Sequence, residues 1–219
     1  MTSASPPDLA TARWYEDKVQ RYGFDHRGLG FRTRSSQEKR FEALLALGDF
    51  DGRRLLDVGC GFGDFLQFLQ DRGISPDYTG LDICEPMVSR CRQRFAGSGA
   101  RFIAGDVLEH QPAARYDFVV ASGIFGLDSP GVRERIAPTL RRLYSWASAG
   151  CAVNFLSSRS TAPAEARVYV DPREVLETAF ALTPAVRLDH SYLPNDFTLC
   201  LFPEPAWHAE KARTHEAGL

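Results

Sequence analysis

Arg54-Leu55-Leu56-Asp57-Val58-Gly59-Cys60-Gly61-Phe62-Gly63-Asp64 decides how this 219-residue chain is read. The apolar Leu55-Leu56 leads through Asp57 into three glycines at alternate positions, Gly59, Gly61 and Gly63. Phe65, Leu66, Phe68 and Leu69 follow at helical spacing. The pattern predicts a buried strand, a tight turn and a helix start, by which a backbone closely approaches a nucleotide-like ligand.

Two ligands compete for such a loop. Dinucleotide folds favour G-x-G-x-x-G, whose third glycine lets a helix pack beneath a pyrophosphate. Here the spacing is G-x-G-x-G, with Asp57 two residues before the first glycine and Asp64 just after the last. Acids at a helix entrance repel a pyrophosphate and suit a cation. S-adenosylmethionine (SAM) carries a sulfonium, an ammonium and no phosphate. At Leu55-Asp57-Gly59-Gly61-Gly63, with Cys60 inside the loop, the chain resembles the class I SAM-dependent methyltransferases. A nicotinamide site and a ligand-free glycine turn are the alternatives.

Two further segments fall where that resemblance implies. Tyr78-Thr79-Gly80-Leu81-Asp82 is a strand ending in an acid, 25 residues after Asp57. At a strand's carboxyl end a carboxylate can accept both ribose hydroxyls, and Ile83 offers adenine an apolar face. Arg101-Phe102-Ile103-Ala104-Gly105-Asp106 closes on a third acid, which the resemblance places at the adenine amino group. Val107 and Ser122 complete the implied cofactor set. One strand-end acid alone is an ordinary turn or cap residue; three in sequence order behind the glycine loop are not.

Composition narrows the options. The length fits one domain with an appendage, and 44% hydrophobic residues suffice for a full core. Net charge is −2 and the basic residues are dispersed, so no nucleic-acid partner is expected. Arg90, Arg92 and Arg94 read as a solvated helix face. The cysteines at 60, 84, 91, 151 and 200 show no metal-like spacing, so reduced thiols and no metal are expected. No apolar run approaches membrane-spanning length and no signal-peptide pattern is present, which predicts a soluble cytoplasmic protein. Oligomeric state leaves no mark.

The remainder alternates strand and helix. Helices are expected over about 64–72, 86–95 and 131–148, the last split or kinked at Pro138. Tyr116–Ser122 reads as a doubly buried strand, and Gly150 leads into another over Cys151–Leu156. Asp171-Pro172 caps a helix reaching about Ala181. Val186–Tyr192 and Phe197–Phe202 form an antiparallel terminal hairpin. The resulting fold class is α/β: a Rossmann-like, seven-stranded, mostly parallel sheet with that hairpin, helices on both faces and an N-terminal helical cap. Expected units are a cap over 1–50, a SAM-binding domain over 51–203 and a tail over 204–219.

Within the cap, Leu9, Ala12, Tyr15, Val19 and Tyr22 form one apolar stripe. Ser35-x-x-Glu38 reads as a capping box opening a second helix that Gly48 stops. The glycine- and cation-rich link from Gly23 to Arg34 suits either a plain cover or a lid over the strand ends. A lid would exclude water from chemistry at a sulfonium.

Acceptor chemistry is read from the later strands. Ala121-Ser122-Gly123-Ile124-Phe125 lacks the Asp/Asn-Pro-Pro-aromatic motif of enzymes that methylate bases, and only Asp128 resembles a metal-binding acid there. A small, partly apolar acceptor remains. Asn154 in a buried strand must bond the backbone or face the site. His190 and Tyr192, at the end of a strand and on one face, are catalytic candidates beside it, His190 as a base. Tyr15, Tyr22, Phe125 and Tyr169 could line a substrate wall able to hold a cation. Tyr22-Gly23-Phe24-Asp25, Gln37-Glu38-Lys39-Arg40-Phe41, Ser122-Gly123-Ile124-Phe125, Asn154-Phe155-Leu156 and Asp196-Phe197-Thr198 together resemble a bacterial small-molecule group associated with secondary metabolism. That group includes azetidine-2-carboxylate synthases. The resemblance thus implies methyl transfer to a small acceptor or, alternatively, cyclisation of SAM through its own amine, with Asn154 and Tyr192 orienting that amine.

Overall fold

The computed structural model describes residues 9–23, 29 and 33–203. Its centre is a seven-stranded sheet of order β3-β2-β1-β4-β5-β7-β6. The strands are β1 (Arg54–Val58), β2 (Asp77–Asp82), β3 (Arg101–Ala104), β4 (Tyr116–Ser122), β5 (Ala147–Leu156), β6 (Val186–Asp189) and β7 (Asp196–Leu201). The first five run parallel, and β7 lies antiparallel between β5 and β6. Sheet order reverses between β1 and β4, so a crevice opens at their carboxyl ends, where ligands of open α/β sheets bind.

The helices are α1 (Leu9–Tyr22), α2 (Arg34–Leu45), α3 (Asp64–Gln70), α4 (Glu85–Arg94), α5 (Val132–Trp146) and α6 (Pro172–Phe180). One core layer packs Phe41 and Leu44 of α2 with residues of α3 and α4 against Leu55, Phe118, Val120, Ala152 and Cys200. The other packs α5 and α6 against Leu56, Val119, Val153, Phe155 and Leu199. Alternation along each strand sends successive side chains into opposite layers, which is why the central strands read as unbroken apolar runs. α2 is thus embedded in the core, whereas Tyr15 and Val19 of α1 pack with Leu29 on Phe62, Cys84 and Met87. Phe41 stands 5.1 Å from Phe65 and 5.4 Å from Phe68, ring centre to ring centre. Phe41→Ala is expected to cost about 3–5 kcal/mol, read as a lowered midpoint in urea denaturation.

Four local expectations are corrected. α2 starts earlier than the Ser35 box: Thr33 is the cap, accepting from Ser36 N–H over 3.1 Å, and Glu38 pairs with Arg34. Pro138 does not split α5, which continues through it. One backbone hydrogen bond is lost there, but the buried face of Leu140, Leu143 and Trp146 outweighs it. Gly150 is inside β5, not before it; a Cβ there would stand 2.9 Å from Leu47 Cδ1, so the glycine serves close helix–sheet approach. Finally β6 stops at Asp189, leaving His190 and Tyr192 in the connection to β7.

The expected α6 cap is present, with Asp171 accepting from Arg173 N–H over 2.9 Å. All five cysteines are free and buried. No helix among the described residues is long and apolar enough to cross a membrane. Most of the link between α1 and α2, including His26 and two of its glycines, lies outside the described residues, as do Phe24-Asp25 and the tail 204–219.

Candidate active site

The carboxyl ends of β1 to β4 surround a cavity of about 140 Å³ with the glycine loop as its floor. Gly59 has φ +74° and Gly61 φ +54°, a left-handed backbone that side chains disfavour. A Cβ on Gly59 would lie 2.2 Å from Ile124 Cγ2, and one on Gly61 2.7 Å from Leu29 Cδ2. Gly63 is the left-handed N-cap of α3. Cys60 lines the same floor, its thiol turned toward Gly80, where a Cβ would stand 2.8 Å from Sγ.

Asp82 ties this loop to the next one. Gly61 N–H donates to its Oδ2 over 2.8 Å, and Cys84 N–H to its Oδ1 over 2.9 Å. Burial pushes this carboxyl above its usual range, while the backbone amides pull it down. Each oxygen still has acceptor capacity for a ribose hydroxyl. Asp57 is 3% exposed and accepts from the Tyr78 hydroxyl over 2.5 Å. Burial drives its carboxyl up to about 7, more than the Tyr78 bond lowers it. Asp64 does not act as a free anion at the helix start: Arg94 Nη1 donates to it over 2.8 Å and Gln37 Nε2 over 3.1 Å.

The far wall carries unsatisfied polar atoms. Asp106 Oδ1 accepts from Leu108 N–H over 2.8 Å and from Arg135 over 2.5 Å, but its buried Oδ2 has no partner. Ser122 Oγ and Thr139 Oγ1 are likewise buried and unpartnered. All three residues line the cavity, with Ile83 and Val107 as apolar neighbours. Orphaned polar atoms between apolar walls match a heteroaromatic ligand with hydrogen-bonding edges. Adenosine, with its amino group and ribose hydroxyls, has the complementary chemistry.

A larger chamber of about 590 Å³ adjoins this cavity, and Tyr15, Leu29 and Gly123 line both. Its wall includes Arg40, Asn154, Arg167, Tyr169 and Asp196. Arg40 and Asp196 form a buried ion pair at 2.6 Å, joining α2 to β7. Asn154 bonds a side chain, not the backbone: its Nδ2 donates to Thr198 Oγ1 over 2.7 Å, and Thr198 donates to the Tyr192 hydroxyl over 2.9 Å. Ser122, Asn154 and Thr198 are register partners across β4, β5 and β7, a polar row leading from the smaller cavity to the larger.

The aromatic and basic candidates divide. Tyr15 sits between the cavities, its phenol pushed up to about 12 by burial. Phe125 lines the smaller cavity, stacked 5.4 Å from Phe155. Tyr169 lines the larger one, its hydroxyl accepting from Ala164 N–H over 2.7 Å. Tyr22 lines neither and lies beneath Lys18, 5.1 Å from its ring centre. His190 also lines neither: its Nε2 is 2.6 Å from Ser157 Oγ and its ring stacks on Phe197. A loop imidazole with a nearby hydroxyl and ring settles into packing. Tyr192 does not itself line the chamber and meets its wall through Thr198 and Asn154. Arg135, Thr139 and Leu29 carried no sequence signal, because each resembles an ordinary helix or loop residue. No group of three or more metal-ligating side chains occurs among the described residues.

Arg135 compensates a carboxylate whose side chain is only 4% exposed. Arg135→Met is expected to destabilise the protein by about 3 kcal/mol, because it leaves that charge buried and unpaired. Thermal denaturation checks this, and adding Asp106→Asn should restore much of the loss.

The sheet order and the glycine-loop cavity at its switch point define a Rossmann-like α/β protein with a small-ligand site, and comparisons specify the family. Residues 55–145 match the family described as "Methyltransferase domain". A Mycobacterium tuberculosis protein named as a methyltransferase is 32% identical over 151 residues, covering 65% of this chain and 89% of that protein. A malonyl-acyl-carrier-protein O-methyltransferase of Acetivibrio thermocellus is 34% identical over 41% of this chain, which spans only 32% of that relative. Among solved structures, magnesium protoporphyrin IX methyltransferase of Synechocystis with bound SAM superposes with TM-score 0.65 at 15% identity, covering 91% of this chain and 98% of that one. The complex of DhpI with S-adenosylhomocysteine (SAH) gives TM-score 0.67 at 16% identity, over 92% and 100%. The chain belongs to the class I SAM-dependent methyltransferases.

Proposed function

We propose that this protein moves the sulfonium methyl of SAM onto a nitrogen, oxygen or carbon of a small biosynthetic intermediate held in the larger chamber. The observation that carries the reading is the junction of the two cavities at Tyr15, Leu29 and Gly123. Asp82 receives the ribose hydroxyls, Ile83 and Val107 flank the adenine, and Asp106 Oδ2 accepts from its amino group. Gly59 and Gly61 let the backbone approach the methionyl portion. Tyr15 and Phe125 wall the sulfonium side. When bound, SAM supplies an electrophilic methyl whose charge disperses in an in-line displacement, so positioning and dryness do most of the work. No histidine lines either cavity among the described residues, in keeping with catalysis by placement. α1 with Leu29 covers the mouth and serves as the lid that excludes water.

The test is incubation with SAM, first alone and then with a metabolite panel, reading products by mass spectrometry. SAH formed only with an acceptor supports the reading. Methylthioadenosine and a cyclic amino acid formed from SAM alone would replace it with internal displacement, in which Asn154 and Tyr192 orient the amine.

A further inference from the structure

The larger chamber has two buried acceptor oxygens that nothing in the fold uses. Asn154 spends its Nδ2 on Thr198 and leaves Oδ1 without a partner. Asp196 gives Oδ1 to Arg40 and leaves Oδ2 without a partner. Both residues are 1% exposed, and both line the chamber. Asn154 pairs in register with Thr198, and Asp196 with Leu156. Asn154 and Asp196 are therefore diagonal neighbours on one face of the β5–β7 ladder, a spacing of about 7–8 Å that places both side chains on one patch of the chamber wall.

Two such acceptors are costly to bury unless water or a ligand supplies donors, and a ligand that displaces the water must supply them itself. The chemistry selects among head groups. A carboxylate would bring further acceptor oxygens against two acceptors. A hydroxyl has one proton and satisfies one of them. A primary amine or ammonium carries at least two N–H donors and satisfies both. Arg40 already balances the charge of Asp196, so the subsite tolerates either protonation state.

We infer that Asn154 and Asp196 form a recognition subsite for a primary amine on the molecule bound in the larger chamber. This rests on the reading of that chamber as the acceptor's. Arg40 is the positioning residue, holding one carboxylate oxygen so that the other faces the amine.

The experiment is ligand-observed NMR titration of the full-length protein, with and without SAH, using benzylamine, benzyl alcohol and benzoate as probes of matched shape. Benzylamine is expected to bind at least about tenfold more tightly than either of the others, the scale of a charge-assisted hydrogen bond. Asn154→Leu and the isosteric Asp196→Asn should each remove that preference while SAH affinity, measured separately by calorimetry, stays the same. Equal binding of the three probes, preference for benzoate, no binding, or an amine preference surviving both substitutions would overturn the inference. Loss of SAH binding by the unaltered protein would count against the proposed function alone, since the probe preference is also read without SAH.

Discussion

Gly59→Val is expected to raise the dissociation constant for SAM at least about hundredfold, roughly 2.7 kcal/mol, as read by calorimetry. Two effects act together. The residue sits at φ +74°, where a β-branched side chain is strained by on the order of 1–3 kcal/mol. Its Cβ would also fall 2.2 Å from Ile124 Cγ2, forcing Ile124 to shift in the lining it shares with Gly59. Gly52→Ala provides the control. Gly52 has φ +64° but nothing within 4 Å of an added Cβ, so it bears backbone strain without reshaping any cavity. Its SAM affinity should match that of the unaltered protein.

Stability should fall as pH rises toward neutrality, and Asp57 is the source. Folded, its carboxyl titrates at about 7 because burial disfavours the charge. Unfolded, it titrates at about 3.9. Between those values the folded chain keeps a proton that the unfolded chain has lost. The contribution is therefore fully present below about pH 4, declines as pH rises, and is gone above about pH 7. At about 1.4 kcal/mol for each pH unit the span is on the order of a few kcal/mol. Asp57→Asn keeps an oxygen to accept from the Tyr78 hydroxyl and abolishes the titration. Urea denaturation across this range should show a downward slope in the unaltered protein and a flatter profile in the variant. A parallel slope in both would assign the dependence to another group.

Legibility in the sequence followed the range of the interactions. The glycine loop could be read because its demand is local, a left-handed backbone at Gly59 and Gly61. Strand-terminal acids could be placed because Asp82 and Asp106 follow their strands directly. The terminal hairpin was legible from two apolar runs, though not that β7 enters between β5 and β6. What stayed hidden depends on partners far along the chain. Asn154 donates to Thr198, 44 residues away, so no local pattern could choose between its two expected roles. His190 finds Ser157, 33 residues before it, and leaves the chemistry. Arg135 looks like any polar helix residue until the fold brings it to Asp106. The capping box at Ser35 was misplaced by two residues, because the buried packing of Phe41 and Leu44 sets where α2 begins and Thr33 then caps it.

The position of β7 has a consequence for how the molecule is made. β7 is the last strand among the described residues, yet it is an interior strand and the neighbour of both β5 and β6. A nascent chain emerging amino end first can assemble β1 to β5 with α2 to α5 while the remainder is still being synthesised. The glycine loop, Asp82 and Asp106 all belong to that early portion. Asp196 and Thr198 arrive only with the final strand, and Arg40 and Asn154 must wait for them. The cavity at the glycine loop can therefore form before β7 has been made, whereas the chamber beside it is completed only once β7 has paired with β5.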